Sequence, residues 1–324
     1  MSKTETDFDR FYRDELRPAL EEFEERRSAV WRRLWSAVLL VGPIGAVVVG
    51  VATGSAGVAA VAGAACALVA GLVAWAVQTG GLRAEFKLRI IGSVARFLDP
   101  GLAYSPEGHI SERAFKESGL FRQHIDRFDG EDLVSGKVGA TAIQFSELHA
   151  EYQTTHTDSK GHTHTSWHTI FKGLFIVADF NKEFRGVTVV LPDVAEKAFG
   201  WLGQVIQDWT DVFRRGELVK LEDPEFEREF VVYADDQVEA RYILTPSLMQ
   251  RLREFKRKVG RQVFFSFARS NVYVAITTQQ NMFEPRWTGP VCSPDLVRTY
   301  LLQLRLGLGV VDELDLNTRI WSKK

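Results

Sequence analysis

Four imidazoles, His156, His162, His164 and His168, fall within thirteen residues of one another. Imidazole is a good ligand for zinc or nickel, and His162/His164 and His164/His168 have spacings that metal sites use. The same stretch is rich in Thr, Ser and Gly, has no Cys beside it, and contains no His-Glu-x-x-His. It lies between two expected strands, which describes a polar hairpin loop. A histidine cluster without a rigid supporting shell does not define a metal site. The loop is therefore the favoured reading, and no imidazole is assigned to a metal.

Asp235 and Asp236 with Glu239 and Arg241 resemble an acidic metal or phosphoryl site. The spacing of Asp236 and Glu239 is also that of a capping box opening a helix, with Glu239 reaching back, and Arg241 then pairs with a carboxylate on the surface. Gly136-Lys137-Val138-Gly139 lacks the remaining spacing of a phosphate loop. A Gly-x-Ser-x-Gly elbow, a Cys-x-x-Cys pair and a dinucleotide fingerprint are absent from the sequence. The run Arg251, Arg253, Lys256, Arg257, Lys258 and Arg261 reads as a solvated helix face, or as a face that docks on anionic headgroups. No catalytic residue and no cofactor follow from any of these patterns.

The elements that hold these residues begin with a membrane hairpin. Between Arg33 and Arg83 there is no Asp, Glu, Lys or Arg. The apolar stretch 37–77 is about twice the roughly 20 residues that cross a bilayer, and Thr53-Gly54-Ser55-Ala56-Gly57 interrupts its middle. Two transmembrane helices, about 37–53 and 56–77, are expected. Basic residues flank the pair on both sides: Arg26, Arg27, Arg32 and Arg33 before, Arg83, Lys87, Arg89 and Arg96 after. The positive-inside rule then puts both termini in the cytoplasm, with Trp31, Trp35 and Trp75 near one interface. Small residues at Gly50/Gly54, Ala60/Ala64 and Gly63/Ala67/Gly71 allow close helix approach. Packing of the two helices on each other is the simpler outcome, and a partner helix is the alternative.

Phe8, Tyr12, Leu16, Leu20, Phe23, Val30 and Leu34 recur at helical spacing, with Pro18 as a kink point. Leu82, Phe86, Ile90, Val94 and Phe97 do the same up to Asp99-Pro100-Gly101. These stripes, within 1–36 and 78–100, are expected to pair as an antiparallel stalk. The many carboxylates of the first disfavour helices lying flat on a bilayer.

From 101 to 324 the pattern is α+β with mainly antiparallel sheet. Strands are expected at 132–142, 143–153, 169–178, 187–191, 262–268 and 271–277. Asp193, Asp236, Thr245-Pro246 and Ser293-Pro294 mark helix starts, and a division into two lobes is expected near Gly216. The chain carries 40 basic and 42 acidic residues, net −2, which gives no field for nucleic acid. Its mean hydropathy of −0.10 hides the uneven distribution. Cys66 and Cys292, one in the apolar stretch, are expected to stay reduced.

The segments 128–136 (FDGEDLVSG), 145–149 (FSELH), 171–180 (FKGLFIVADF) and 230–246 (FVVYADDQVEARYILTP), with Phe283-Glu284-Pro285, resemble an uncharacterised prokaryotic membrane family. It is the domain of unknown function numbered three-one-three-seven. The resemblance runs over nearly the whole chain and implies a two-helix membrane protein with a soluble module, without an activity or site residues. The expected function is a membrane-anchored cytoplasmic binding or scaffold module, its partners the lipid bilayer and a membrane or cytoplasmic protein. The alternative is a membrane-bound metal-dependent enzyme using the histidine stretch. A transporter subunit is disfavoured, because neither membrane helix carries an ionisable group.

Overall fold

The computed structural model describes residues 4–157, 161–193 and 217–317. The chain divides into two compact units, Met1–Leu98 with Phe283–Tyr300 and Asp99–Met282 with Leu301–Lys324.

The first unit is built on two helices, α1 (Glu5–Thr53) and α2 (Ala56–Leu98), both long and apolar enough to cross a membrane. Thr4 opens α1 in a capping box with Asp7. A π-helical turn at Tyr12–Leu16 ends two residues before Pro18, and the N–H of Arg17 bonds back to the Tyr12 carbonyl. The wider turn accommodates a residue with no N–H to offer, so the helix continues past it. Gly54, at φ +66°, ends α1 in the left-handed conformation that only glycine adopts readily. The Ser55 hydroxyl then caps α2 by accepting from the Val58 N–H. The boundaries expected near 36 and 77 fall inside unbroken helix, so each amphipathic stripe continues directly into the apolar run beside it.

Close approach of α1 and α2 depends on glycine. A Cβ at Gly63 would lie 2.7 Å from Ala46 Cβ and 2.8 Å from the Gly42 carbonyl oxygen. At Gly45 it would lie 2.9 Å from the Cys66 sulfur. Small residues thus serve packing within the hairpin, the simpler of the two outcomes expected. Outside the apolar run the stripes meet: Phe23 and Phe86 have ring centroids 4.7 Å apart, Phe11 and Phe97 4.3 Å. Leu16, Leu20, Leu82, Ile90 and Val94 are buried between them. Arg26–Glu85 at 2.7 Å and Arg89–Glu22 at 2.8 Å bridge the two helices at their edge.

The segment Phe283–Tyr300 packs along this stalk, although the sequence reading gave it to the soluble domain. The Tyr12 hydroxyl donates to the Cys292 carbonyl at 2.9 Å, and Arg27 Nη1 to the Arg286 carbonyl at 3.2 Å. Lys87, only 2% exposed, has its ammonium 3.0 Å from a Glu284 carboxylate oxygen. A cation so buried is strongly destabilising unless paired, and Glu284 supplies the charge. Cys66 and Cys292 are both free thiols.

Among the described residues the second unit holds a nine-stranded sheet in which every neighbouring pair is antiparallel, in the order β1-β2-β3-β4-β9-β8-β5-β7-β6. Its strands are β1 (Ala103–Ser105), β2 (Arg127–Val138), β3 (Thr141–Thr157), β4 (Thr163–Asp179), β5 (Thr188–Pro192), β6 (Glu217–Leu218), β7 (Phe230–Ala234), β8 (Val263–Ala268) and β9 (Asn271–Thr277). The described helices after the hairpin are α3 (Glu112–Glu117), α4 (Pro224–Glu227), α5 (Gln237–Ile243), α6 (Pro246–Val259) and α7 (Pro294–Glu313). The α+β class is as expected. Strands β5 and β7, which flank position 216 in sequence, are paired with each other. The helix expected after Asp193 lies outside the described residues.

Strands β8 and β9 and the inner half of β4 bury both faces. Phe171, Phe175, Phe264 and Tyr273 join one core with Phe115 and Phe121 of 110–125. On the other face Phe265 meets Phe255 of α6 (Pro246–Val259), centroids 6.0 Å apart. Gly307 of α7 (Pro294–Glu313) approaches the Phe145 ring so closely that a Cβ there would lie 2.8 Å from it. Two helical covers explain why β8 is apolar almost throughout instead of alternating. Its hairpin to β9 turns through Arg269 and Ser270 at φ +52° and +58°, the twist a two-residue hairpin requires, here adopted without glycine.

Candidate functional site

Three of the four histidines sit in strands, and only His162 lies in the connection between β3 and β4. β3 and β4 pair from Ile143↔Ala178 out to Thr157↔Thr163, so His156 and His164 are directly opposed partners and His168 faces Tyr152. Opposed residues share a face, and every second residue returns to it. His156, His164 and His168 therefore lie on one face of an extended ribbon. His168 stacks on Tyr152 with centroids 4.9 Å apart, and its Nε2 lies 2.8 Å from Thr154 Oγ1. His156, His162 and His164 are exposed. What brings them together is ladder pairing, with no helix and no buried support behind them.

Asp236 caps α5 (Gln237–Ile243) as expected, accepting from the Val238 and Glu239 N–H groups. The Glu239 carboxylate does not reach back. It accepts from the Arg185 and Gly186 N–H groups at 2.8 and 2.7 Å, tying α5 to the turn before β5. Asp235 does likewise with the Val187 N–H at 3.1 Å. Arg241 donates to the Gln237 and Lys220 carbonyls and to the Gln237 side chain, not to a carboxylate. The acidic group is a set of structural acceptors. Gly136 is required because a Cβ there would collide with the Gly101 carbonyl oxygen, and Gly139 turns β2 into β3 at φ +62°.

The basic face of α6 is largely neutralised by the unit's own carboxylates. Arg253 pairs with Glu225 and Glu229, Arg257 with Glu229, Lys258 with Glu313, and Arg251 with Asp315. Burial pushes the Glu229 carboxyl up, but hydrogen bonds from Arg257 and Arg253 outweigh this and hold it below the usual range. A face so paired offers little to anionic headgroups.

Sequence reasoning missed one carboxylate cluster. Glu131, Asp132 and Glu147 each place an oxygen within 4.8 Å of the others. The cluster exists because β2 bulges between Glu131 and Val134, with Asp132 at φ +64°, so that two consecutive acidic side chains approach Glu147 on β3. Asp132 accepts from the Tyr104 hydroxyl and Glu147 from the Met282 N–H. Beside it lies a cleft of about 240 Å³, lined among others by Asp129, Glu131, Glu147, His149 and Lys172. Three such oxygens suit a hard cation such as Ca²⁺ or Mg²⁺. Two of the carboxylates also clasp β1 and the chain after β9, which is a structural task. The adjacent pair Glu131-Asp132 within a strand was the available signal, but the bulge that aims it is not visible in the sequence.

A model of the family described as protein of unknown function (DUF3137) matches residues 169–316. The resemblance read from the sequence therefore holds over the stretch from β4 to just beyond α7. The model does not extend to the hairpin of α1 and α2. Among solved structures, the crystal structure of the mycobacterial trehalose monomycolate transport factor A, TtfA, is similar. It has 12% sequence identity and a TM-score of 0.38, over 73% of this chain and 97% of that chain. No curated protein matches.

Proposed function

We propose that this chain is a membrane-anchored protein, held by the α1–α2 hairpin, whose sheet unit is a binding or scaffold module on the cytoplasmic side. The observation that carries the anchoring is the exposed apolar band of the hairpin. Leu39 is 68% exposed, Ile44 62%, Val51 83%, Val61 72% and Val77 75%, with no charged residue among them. A core helix of a soluble protein would bury such side chains, each worth about 1.5–3 kcal/mol. A bilayer satisfies all of them at once.

Orientation rests on the basic flanks, which the positive-inside rule assigns to the cytoplasm together with both termini. Among the side chains lining the sheet unit's clefts, Lys182 bonds the Tyr242 carbonyl and Glu147 the Met282 N–H.

The test is topological. The protein should resist carbonate extraction from membranes. A reporter fused before Met1 or after Lys324 should report cytoplasm, and one inserted at Ser55 the opposite side. Extraction with the peripheral proteins would overturn the anchoring. A non-cytoplasmic signal from the C-terminus would overturn the orientation.

A further inference from the structure

Three indoles gather where the charge-free run meets the stalk. Trp31 and Trp75 have ring centroids 5.4 Å apart, and Trp75 and Trp287 5.2 Å. The Trp31 Nε1–H donates to the Trp287 carbonyl at 3.2 Å, which fixes the backbone of the returning segment as well as its ring. Trp287 also lies against Phe23, 6.3 Å between centroids. Thr288, Gly289 and Pro290, next in sequence, are exposed.

The charges around this cluster differ from those along the stalk. Farther from the apolar run, the stalk's arginines and Lys87 find carboxylates. Arg26 and Arg89 each bond Glu22 and Glu85, Arg27 bonds Glu24, and Arg83 and Lys87 bond Glu284. Arg32 and Arg33, next to Trp31, and Arg286, next to Trp287, are exposed. Among the described residues, none of these three has a carboxylate partner. No acidic residue stands between Glu25 and Glu85 on the two helices. Indoles with unpaired guanidiniums beside them match the boundary between acyl chains and headgroups. The indole prefers the seam between apolar and wet surroundings, and arginine carries its charge outward to phosphate.

We propose that the segment 286–290 is a third contact of this protein with the bilayer. In it Arg286, with Arg32 and Arg33, forms a collar that binds anionic phospholipid headgroups at the level of Trp31, Trp75 and Trp287. The inference rests on the membrane-anchored reading and adds a lipid ligand and the residues that take it. The partner is a lipid surface because the collar is continuous with the apolar band of α1 and α2 and presents no acidic group of its own.

The experiment uses the full chain in vesicles, with Cys66→Ala and Cys292→Ser and one fluorophore at Thr288→Cys. A second preparation carries the fluorophore at Val48→Cys, inside the apolar band. Headgroup spin labels should quench position 288 and acyl-chain spin labels position 48. Adding phosphatidylglycerol to phosphatidylcholine should enrich labelled anionic lipid around the protein. Arg286→Gln and the double variant Arg32→Gln/Arg33→Gln should each leave position 48 quenched. They should cut that enrichment roughly fivefold per arginine removed.

Quenching at 48 with none at 288 overturns the collar and spares the anchor. No quenching at either position overturns the anchored reading itself, and the collar falls with it. Enrichment unchanged in both arginine variants overturns the assignment of headgroups to the collar. Gly289→Cys is a second label site should substitution at 288 disturb the segment.

Discussion

Arg89 Nη1 lies 2.8 Å from Glu22 Oε2, an ion pair that closes the α1–α2 stalk across 67 residues of sequence. The Arg89 hydrogen bond is the main reason the Glu22 carboxyl is held below the usual carboxylate range. A lowered acid contributes stability that is complete above its unfolded pKa, about 4.3 for Glu, and is lost as pH falls through the folded value. The parent protein should therefore melt above Glu22→Gln at pH 6, and the gap should shrink as pH falls below the unfolded value and through the lowered one. Circular dichroism melts of the two in the same detergent decide it, and a gap independent of pH would remove the pair from the account of the stalk.

The hairpin should fail at Gly63. A leucine there has to displace Ala46 and the Gly42 carbonyl. Such overpacking costs about 1–3 kcal/mol, or separates the helices. Gly80→Ala is the matched control, because a Cβ at that position meets nothing within 4 Å. Gly63→Leu should lower the unfolding midpoint in detergent while Gly80→Ala leaves it unchanged or raises it, as alanine favours helix over glycine.

The sheet unit should depend heavily on Phe115. Its ring lies 5.0 Å from Phe121, 5.4 Å from Phe128 and 5.1 Å from Phe175, centroid to centroid, and it is fully buried. Phe115→Ala should cost about 3–5 kcal/mol, measured by urea unfolding followed by the melting of sheet signal. A loss below about 1 kcal/mol would mean that this core collapses around the cavity.

At the histidine ribbon, two different outcomes are expected. His162→Asn with His164→Asn should leave the melting temperature within a few degrees, with or without zinc. His168→Asn should cost roughly 0.5–1.5 kcal/mol, because it removes the stack on Tyr152 and the bond to Thr154. A structural zinc supplies on the order of 10 kcal/mol in small folds, so a large zinc-dependent shift in the parent would reinstate the metal reading.

What the sequence showed, and what it hid, divides along local and distant interactions. The hairpin was legible because the absence of charge from 34 to 82 and the Gly54-Ser55 pair are local signals, and the turn falls at those two residues. The caps at Asp236 and Thr245 were legible for the same reason. The outer arms of β3 and β4 were not, since Thr, Ser and His without alternation look like loop. Their extended form comes from each arm pairing with the other. Glu239 was given the local partner its spacing suggested, but it bonds Arg185 and Gly186, more than fifty residues back in sequence. The return of Phe283–Tyr300 to the stalk rests on bonds such as Lys87 to Glu284, which no periodicity announces.

That return also sets an order of events during synthesis. The Tyr12–Cys292 bond joins residues separated by 280 positions. At about 5–20 residues per second, the ribosome delivers Cys292 roughly 15–55 s after Tyr12. Until then the groove that will receive Phe283 and Tyr300 has no occupant from its own chain, and Lys87 waits roughly 10–40 s for the carboxylate of Glu284 that later neutralises it. The nascent stalk is then open to capture by any chaperone or partner helix with an acidic residue near an aromatic one. A chain cut short before Glu284 would remain in that receptive state permanently.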